Sequence, residues 1–139
     1  KWGFLQKKDE DTITREYIDR LNIKTTGGAQ IVGNLSGGNA QKVVVAKWMS
    51  ISPAILLLDE PTQGIDVGAK AEIYQLINQL AKAGIGVIVV SSDLVEIINL
   101  CNRIIVMKEG TISGELVGDE ITEDQVMLYA MGVKANEAC

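Results

Sequence analysis

The pattern of hydrophobic and polar positions predicts strands that alternate with helices. Short apolar runs that end at polar residues are typical of buried strands, and apolar residues three or four apart are typical of one helix face. The predicted strands are Ile55–Leu58, Ile85–Val90, Arg103–Met107 and Ile112–Leu116. This alternation favours right-handed crossovers and an α/β fold with a mostly parallel sheet.

Helix starts are predicted wherever a capping residue precedes a periodic apolar stretch. One helix runs from Ser36 to about Ser50, and a long one is stopped by Gly84. The apolar positions of the long helix are Val67, Ile73, Leu76, Ile77 and Leu80. The predicted starts are Asp11 or Thr12, then Ser36, then Gly64 or Asp66, then Ser92 or Asp93, and finally Thr122.

A glycine turn at the start of the Ser36 helix is the first candidate for chemistry. The segment reads Leu35-Ser36-Gly37-Gly38-Asn39. The first turn of a helix presents unpaired N–H groups and the positive end of the helix dipole, and phosphate is the ligand that this geometry favours. The sequence therefore indicates an anion site here, although Ser-Gly-Gly can also serve only as a helix cap.

Two adjacent carboxylates, Asp59 and Glu60, end the first predicted strand. Open α/β sheets bind ligands at the carboxyl ends of their strands, and carboxylates are ligands that Mg²⁺ accepts. Pro61 turns the chain at once and leaves the acids facing a cleft. An anion site and an acid pair in one short chain suggest nucleotide phosphate with magnesium.

Composition narrows the function classes. The chain has 139 residues, of which 47% are hydrophobic and 22% charged, as expected for one globular domain with a core. A net charge of −5 argues against a surface that binds nucleic acid, which normally has a basic stripe. The two cysteines, Cys101 and Cys139, are too few for a disulfide framework and fit a reducing compartment.

These motifs together resemble those of ABC-type ATPases. Leu35–Asn39 is similar to the signature loop, Ile55–Glu60 to the Walker B strand, and Gly64-Ile65-Asp66 to the D-loop that crosses the dimer interface. A phosphate loop of the form G-x-x-x-x-G-K-[ST] is not found in the sequence. The resemblance implies a P-loop NTPase fold of which this chain is a partial domain, with the phosphate loop and N-terminal strands missing.

The resemblance also implies a division of the chain. Residues 1–52 are expected to contain part of the helical subdomain and the signature helix. Residues 53–116 are expected to form the α/β core with Walker B, D-loop and switch region, and residues 117–139 the C-terminal helix.

In this family two ATPase domains face each other across the nucleotide, so the resemblance assigns roles in two sites. Ser36, Gly37, Gly38 and Asn39 are expected to contact the terminal phosphate of ATP held by the opposite domain. Asp59 is expected to hold Mg²⁺, through a water, and Glu60 to orient or deprotonate the attacking water. Gly64, Ile65 and Asp66 are expected to contribute to the domain interface.

One family position differs in an informative way. Where most members have His after the second predicted strand, this chain has Ser91-Ser92-Asp93, and it has no His at all. Ser92 at the switch position, together with Asn39 in the signature, is similar to the second ATPase half of tandem monosaccharide importers. In those proteins the second half tends to have a weak site of its own, and its signature completes the site of the first half.

The resemblance implies partners and a location. We expect a second ABC ATPase domain and a transmembrane permease as partners, a sugar-binding protein as an indirect one, and no nucleic acid. We expect a cytoplasmic protein that is peripheral to the membrane through the permease. The alternatives are a non-hydrolysing ABC-like interaction module, or an ABC ATPase of DNA repair or translation. The sequence does not identify the sugar.

Overall fold

The computed structural model describes residues 7–132, with side chains from residue 9 onward. The chain divides into two compact units, residues 1–88 and residues 89–139. Trp2, Phe4 and Leu5 at the start and Cys139 at the end lie outside the described residues.

The first unit contains three helices and the parallel strand pair. Its elements are α1 (Lys7–Arg20), α2 (Gly37–Met49), β1 (Ile55–Asp59), α3 (Val67–Lys82) and β2 (Gly86–Val90), the last of which continues into the second unit. β1 and β2 form a parallel two-stranded sheet joined through α3. At its start the Gly86 N–H donates to the Ala54 carbonyl over 2.9 Å.

The core of this unit is formed by faces of α2, β1 and α3. Four of the five apolar positions predicted for α3 are buried, namely Ile73, Leu76, Ile77 and Leu80, whereas Val67 at the first position of the helix is exposed. α2 contains the β-branched run Val43–Val45, which is poor helix material, so its helicity depends on packing. Val45 is 1% exposed, which supplies that packing.

β1 is buried on one side only. Leu56 and Leu58 are 5% and 7% exposed, whereas Ile55 and Leu57 on the opposite face are 65% and 64% exposed. The apolar run predicted a strand buried on both faces, but successive side chains point to opposite faces and only one of these is covered within the described residues. The strand itself has the predicted position.

The second unit is an antiparallel hairpin with two helices. Its elements are α4 (Leu94–Leu100), β3 (Arg103–Lys108), β4 (Thr111–Val117) and α5 (Glu123–Met131). The hairpin turns at Glu109 and Gly110, which both have positive φ, as a two-residue type I′ turn requires. The buried core of the unit consists of Ile104, Val106, Leu116 and Val126.

Among the described residues, strands pair in parallel at β1 and β2 alone. β3 pairs antiparallel with β4 in a separate sheet, from Arg103 opposite Val117 to Lys108 opposite Thr111, with a register shift after Val106. The predicted hairpin is confirmed, and it accounts for the antiparallel part of an α/β fold. No helix in the described part of the chain is long and apolar enough to span a bilayer.

Candidate functional site

The glycine turn lies at the start of α2, as the sequence predicted, but Ser36 does not cap the helix with its side chain. Ser36 occupies the N-cap position in an extended conformation, and within residues 7–132 no side chain hydrogen-bonds to the first turn of α2 as a cap. By contrast, side chains of Asp66, Asp93 and Thr122 cap α3, α4 and α5. Ser36 and Gly37 are exposed, so the start of the turn is open to solvent, whereas Gly38 is buried.

Asn39 organises the turn through both ends of its amide. Its Nδ2 donates to Ser36 Oγ over 2.7 Å, and its Oδ1 accepts from the Lys24 N–H over 2.7 Å. The bond to Ser36 uses a lone pair of the hydroxyl and leaves its proton available for a ligand. The Asn39 side chain therefore links the turn to the loop that follows α1.

Gly37 and Gly38 lie in close contact with the loop and helix that follow β1. A Cβ at Gly37 would lie 2.9 Å from Ile65 Cγ2, and a Cβ at Gly38 would lie 2.5 Å from Ala69 Cβ. Gly38 is buried. The structure thus brings the predicted signature residues Ser36–Asn39 together with the predicted D-loop residues Gly64–Asp66.

That loop is well defined. Gly64 has a φ of 74°, which glycine adopts without strain, and Asp66 Oδ1 accepts from the Ala69 N–H over 2.9 Å as the cap of α3. Ile65 is half-buried against Gly37, whereas Asp66 is exposed.

Lys42 joins α2 to α3 next to the candidate site, and the sequence analysis did not identify it. It is 5% exposed on the face of α2 that also buries Val45, Ala46 and Met49. Its Nζ donates to Glu72 Oε2 over 2.7 Å and to the Asn22 carbonyl over 3.2 Å. Its position in the apolar stripe of α2 could have indicated this contact, because a buried ammonium group requires a hydrogen-bond acceptor.

The charge of Lys42 affects its partner. The hydrogen bond from Lys42, and then its positive charge, hold the pKa of the Glu72 carboxyl below its ordinary value of 4.5. The Glu72 side chain is 48% exposed. α2 and α3 are therefore joined by an ion pair that persists throughout the neutral range.

Asp59 and Glu60 are adjacent at the end of β1, as predicted. Asp59 is exposed and Glu60 is half-buried, between β1 and the buried Pro61. Glu60 has a φ of 45°, an uncommon conformation outside glycine that is enriched at functional sites. Within residues 7–132, Asn22, Ser52 and Glu109 also have positive φ, so the conformation alone does not distinguish Glu60.

Ser92 lies between β2 and α4, within the second unit, and is exposed between the half-buried Ser91 and Asp93. The neighbouring Ser91 Oγ accepts from the Asp93 N–H over 3.0 Å. Of the two predicted caps, Asp93 is the one that caps α4, since its Oδ1 accepts from the N–H groups of Val95 and Glu96.

The described residues offer a fuller site for phosphate than for Mg²⁺, the two ligands that the resemblance implies. The open first turn of α2 fits a phosphate, because backbone N–H groups at a helix start bind anions. No group of three or more acidic or cysteine side chains that could hold a metal is found in the described ranges. Mg²⁺ in nucleotide sites needs only one or two carboxylates besides the phosphates, so Asp59 fits that smaller role.

Comparison with known proteins agrees with these motifs. Residues 5–63 match the family described as ABC transporter. The chain is 53% identical over 135 residues to the ribose import ATP-binding protein RbsA of Oceanobacillus iheyensis, and 53% identical over 130 residues to that of Lactococcus lactis. These matches cover 97% and 94% of the chain but only 27% and 26% of the relatives.

Solved structures give the same result for the fold. A dimeric ATP-binding cassette in a post-hydrolysis state with ADP and phosphate is 26% identical, with a TM-score of 0.70. That match covers 84% of this chain and 50% of the cassette. An inward-facing ABC transporter of the metal-chelate type has a TM-score of 0.79 at 17% identity, which shows the fold alone. Residues 5–63 therefore match the model of the ABC transporter family, and the chain is similar in fold to about half of an ATP-binding cassette.

Proposed function

We propose that this chain is part of the ATPase of an ABC importer for a monosaccharide such as ribose. Its principal role is to place the signature turn, Ser36–Asn39, on the terminal phosphate of ATP bound by a second ABC ATPase domain. The observation that carries the proposal is the start of α2, where Ser36 and Gly37 are exposed and the Ser36 side chain does not cap the helix. The similarity to proteins named for ribose import supports the choice of substrate.

The chemistry of the turn is electrostatic. The N–H groups of Gly37 and Gly38, the Ser36 hydroxyl and the dipole of α2 together stabilise negative charge that develops on the phosphate. The hydrogen bond from Asn39 holds the Ser36 oxygen in a fixed place before the ligand arrives. Removal of one preorganised donor of this kind lowers the rate roughly 10²–10³-fold.

Asp59 and Glu60 belong to this chain's own nucleotide site in the proposal. Asp59 would hold Mg²⁺, and Glu60 would orient or deprotonate the water that attacks the phosphate. The ion neutralises charge on the phosphates when bound. Ser92 occupies the switch position, where a serine offers no cationic contact, so we propose that this second site turns over more slowly than the site completed by Ser36.

The proposal also includes the partners of the ATPase, its location and the division of the chain. The partners are a second ABC ATPase domain and a transmembrane permease, with a sugar-binding protein outside the membrane as an indirect partner. The ATPase is cytoplasmic and associates with the membrane through the permease. Residues 1–52, 53–116 and 117–139 correspond to the helical subdomain with its signature helix, the α/β core and the C-terminal helix.

The test is the ATPase rate of the full-length ATPase that contains residues 1–139. Ser36→Ala is expected to lower kcat by about 10² or more, and Glu60→Gln by less. Ser50→Ala is the matched control, since Ser50 lies at the other end of α2 and its hydroxyl donates to the Lys47 carbonyl in the same turn. A larger loss in Glu60→Gln than in Ser36→Ala would reverse the assignment of the two sites, and unchanged kcat in Ser36→Ala would refute the role in trans.

A further inference from the structure

We infer that Gly38 is a glycine because α2 must approach α3 closely, and that Ala69 and Glu72 are positioning residues for the signature turn. The inference rests on the proposed function of that turn. It concerns residues 69 and 72, which lie outside both the turn and the loop Gly64–Asp66.

The first observation is the space around Gly38. A Cβ built there would lie 2.5 Å from Ala69 Cβ and 3.6 Å from Ala69 Cα. The first distance is too short for two carbon atoms, whereas the second is an ordinary contact. The methyl group of Ala69 thus occupies the place that a side chain at position 38 would need.

The second observation is that Ala69 has little freedom to move away. Its N–H donates to Asp66 Oδ1 over 2.9 Å, in the first turn of α3. One turn farther along both helices, Lys42 Nζ donates to Glu72 Oε2 over 2.7 Å. The two helices are therefore held at positions 38 and 69 by contact of small residues and at positions 42 and 72 by a charged hydrogen bond.

The third observation is that the contact extends to the turn itself. Gly37 packs against Ile65 and the Gly64 carbonyl, so residues 37 and 38 contact residues 64, 65 and 69. A shift of α2 along α3 would displace the N–H groups of the turn from a ligand. Because a displacement of about 1 Å can cost about 10²-fold in rate, this contact governs turnover.

A steric exchange separates this explanation from the alternative that Gly38 is small so that phosphate can approach. The four variants of the full-length ATPase are Gly38→Ala, Ala69→Gly, the double variant Gly38→Ala/Ala69→Gly, and Gly33→Ala. Gly33 is the control because a Cβ there meets nothing within 4 Å. The readouts are kcat, KM for ATP and the thermal unfolding midpoint.

We expect Gly38→Ala to lower kcat about 10- to 100-fold with little change in KM, because the nucleotide is held by the opposite domain. The double variant should recover kcat to that of Ala69→Gly alone, since the clash is gone. If the double variant recovers the unfolding midpoint but stays as slow as Gly38→Ala, the ligand is what requires the glycine and the inference is wrong.

Glu72→Gln tests the second contact without altering the backbone. We expect lower kcat at unchanged KM, with partial recovery in Glu72→Asp, while the control Glu109→Gln in the β3–β4 turn leaves kcat unchanged. Unaltered kcat in Glu72→Gln would exclude Glu72 as a positioning residue. Ser36→Ala, measured in parallel, separates the two proposals: if it retains full kcat the proposed function fails, and if only the exchange fails the inference alone fails.

Discussion

The Asn39 amide donates to Ser36 Oγ over 2.7 Å and accepts from the Lys24 N–H over 2.7 Å. One hydrogen bond therefore fixes Ser36 within the signature turn, and the other joins the turn to the loop that follows α1. Asn has the length to make both bonds from the first turn of α2, and the additional methylene of Gln would move the amide away from one of the two partners.

Asn39→Ala is expected to lower the free energy of unfolding by about 1–2 kcal/mol, because two hydrogen bonds are lost in a partly exposed place. Urea unfolding of the chain measures the change. Asn34→Ala is the control, since Asn34 is exposed in the short 3-10 helix before the turn. Equal stability of the two variants would show that the Asn39 bonds contribute nothing to the folded state.

Replacement of the residues before α2 and α3 should have unequal effects on stability. Asp66→Ala removes a side-chain cap from α3 and should cost about 1 kcal/mol. Ser36→Ala removes no side-chain cap from α2 and should cost less than Asp66→Ala. The urea midpoints of the two variants test this order, and a larger loss for Ser36→Ala would mean that its hydroxyl stabilises the helix after all.

The ion pair between Lys42 and Glu72 predicts a dependence of stability on pH. Lys42 lowers the pKa of Glu72 from its ordinary 4.5, so the folded state binds this proton less readily than the unfolded state. Its stabilisation is therefore fully present above pH 4.5 and is lost as the pH falls through the lower, folded-state pKa. The stability difference between the wild type and Glu72→Gln should be constant near neutrality and should shrink in acid; a difference that grows in acid would contradict this sign.

Cys101 should react slowly with alkylating reagents. Burial, and secondarily the charge of Glu96, raise the pKa of the Cys101 thiol above its ordinary 9.0, so little thiolate forms at neutral pH. The rate of iodoacetamide labelling, read on the peptide that contains Cys101, should reach half its maximum above pH 9. The control is the same peptide in the urea-unfolded chain, which should titrate near the ordinary value. Identical pH profiles in the two states would rule out the shift.

Gly114 should tolerate no side chain. A Cβ there would overlap the Tyr129 ring, which packs on the hairpin from α5. Gly114→Ala is expected to lower the free energy of unfolding by about 1–3 kcal/mol, as overpacking commonly does. Gly33→Ala is again the control. The double variant Gly114→Ala/Tyr129→Leu removes the ring that the new methyl group would overlap, so it should restore part of the lost stability. Wild-type stability in Gly114→Ala would show that Tyr129 can move aside at no cost.

The local features of the fold could be predicted because they depend on neighbouring residues. Asp66 before α3, the apolar face of α3 and the hairpin turn at Gly110 all follow from short-range chemistry. The site contacts could not be predicted, since they join distant segments: Lys24 meets Asn39, Gly38 meets Ala69, and Lys42 meets Glu72. The sequence places Ser36 at the N-cap of α2 and leaves open whether its hydroxyl caps the helix; in the structure the hydroxyl accepts from Asn39, and no local rule separates those two outcomes.

Some positions that the apolar pattern predicts to be buried are exposed, because burial depends on which faces are covered in the folded chain. Val67 belongs to the apolar set of α3 in the sequence, yet it is 85% exposed at the first position of the helix. Ile55 and Leu57 are apolar and exposed because only one face of β1 is covered. Periodicity identifies which residues share a face, but it does not tell which face finds a neighbour.

The narrow gap between Gly38 and Ala69 also limits how this part of the protein can evolve. In a saturation library at position 69, survivors should be small, with Gly and Ser retained and every branched or aromatic residue lost. Alleles with a larger residue at position 38 would arise only after position 69 had already become Gly, so the order in which the two mutations appear is constrained.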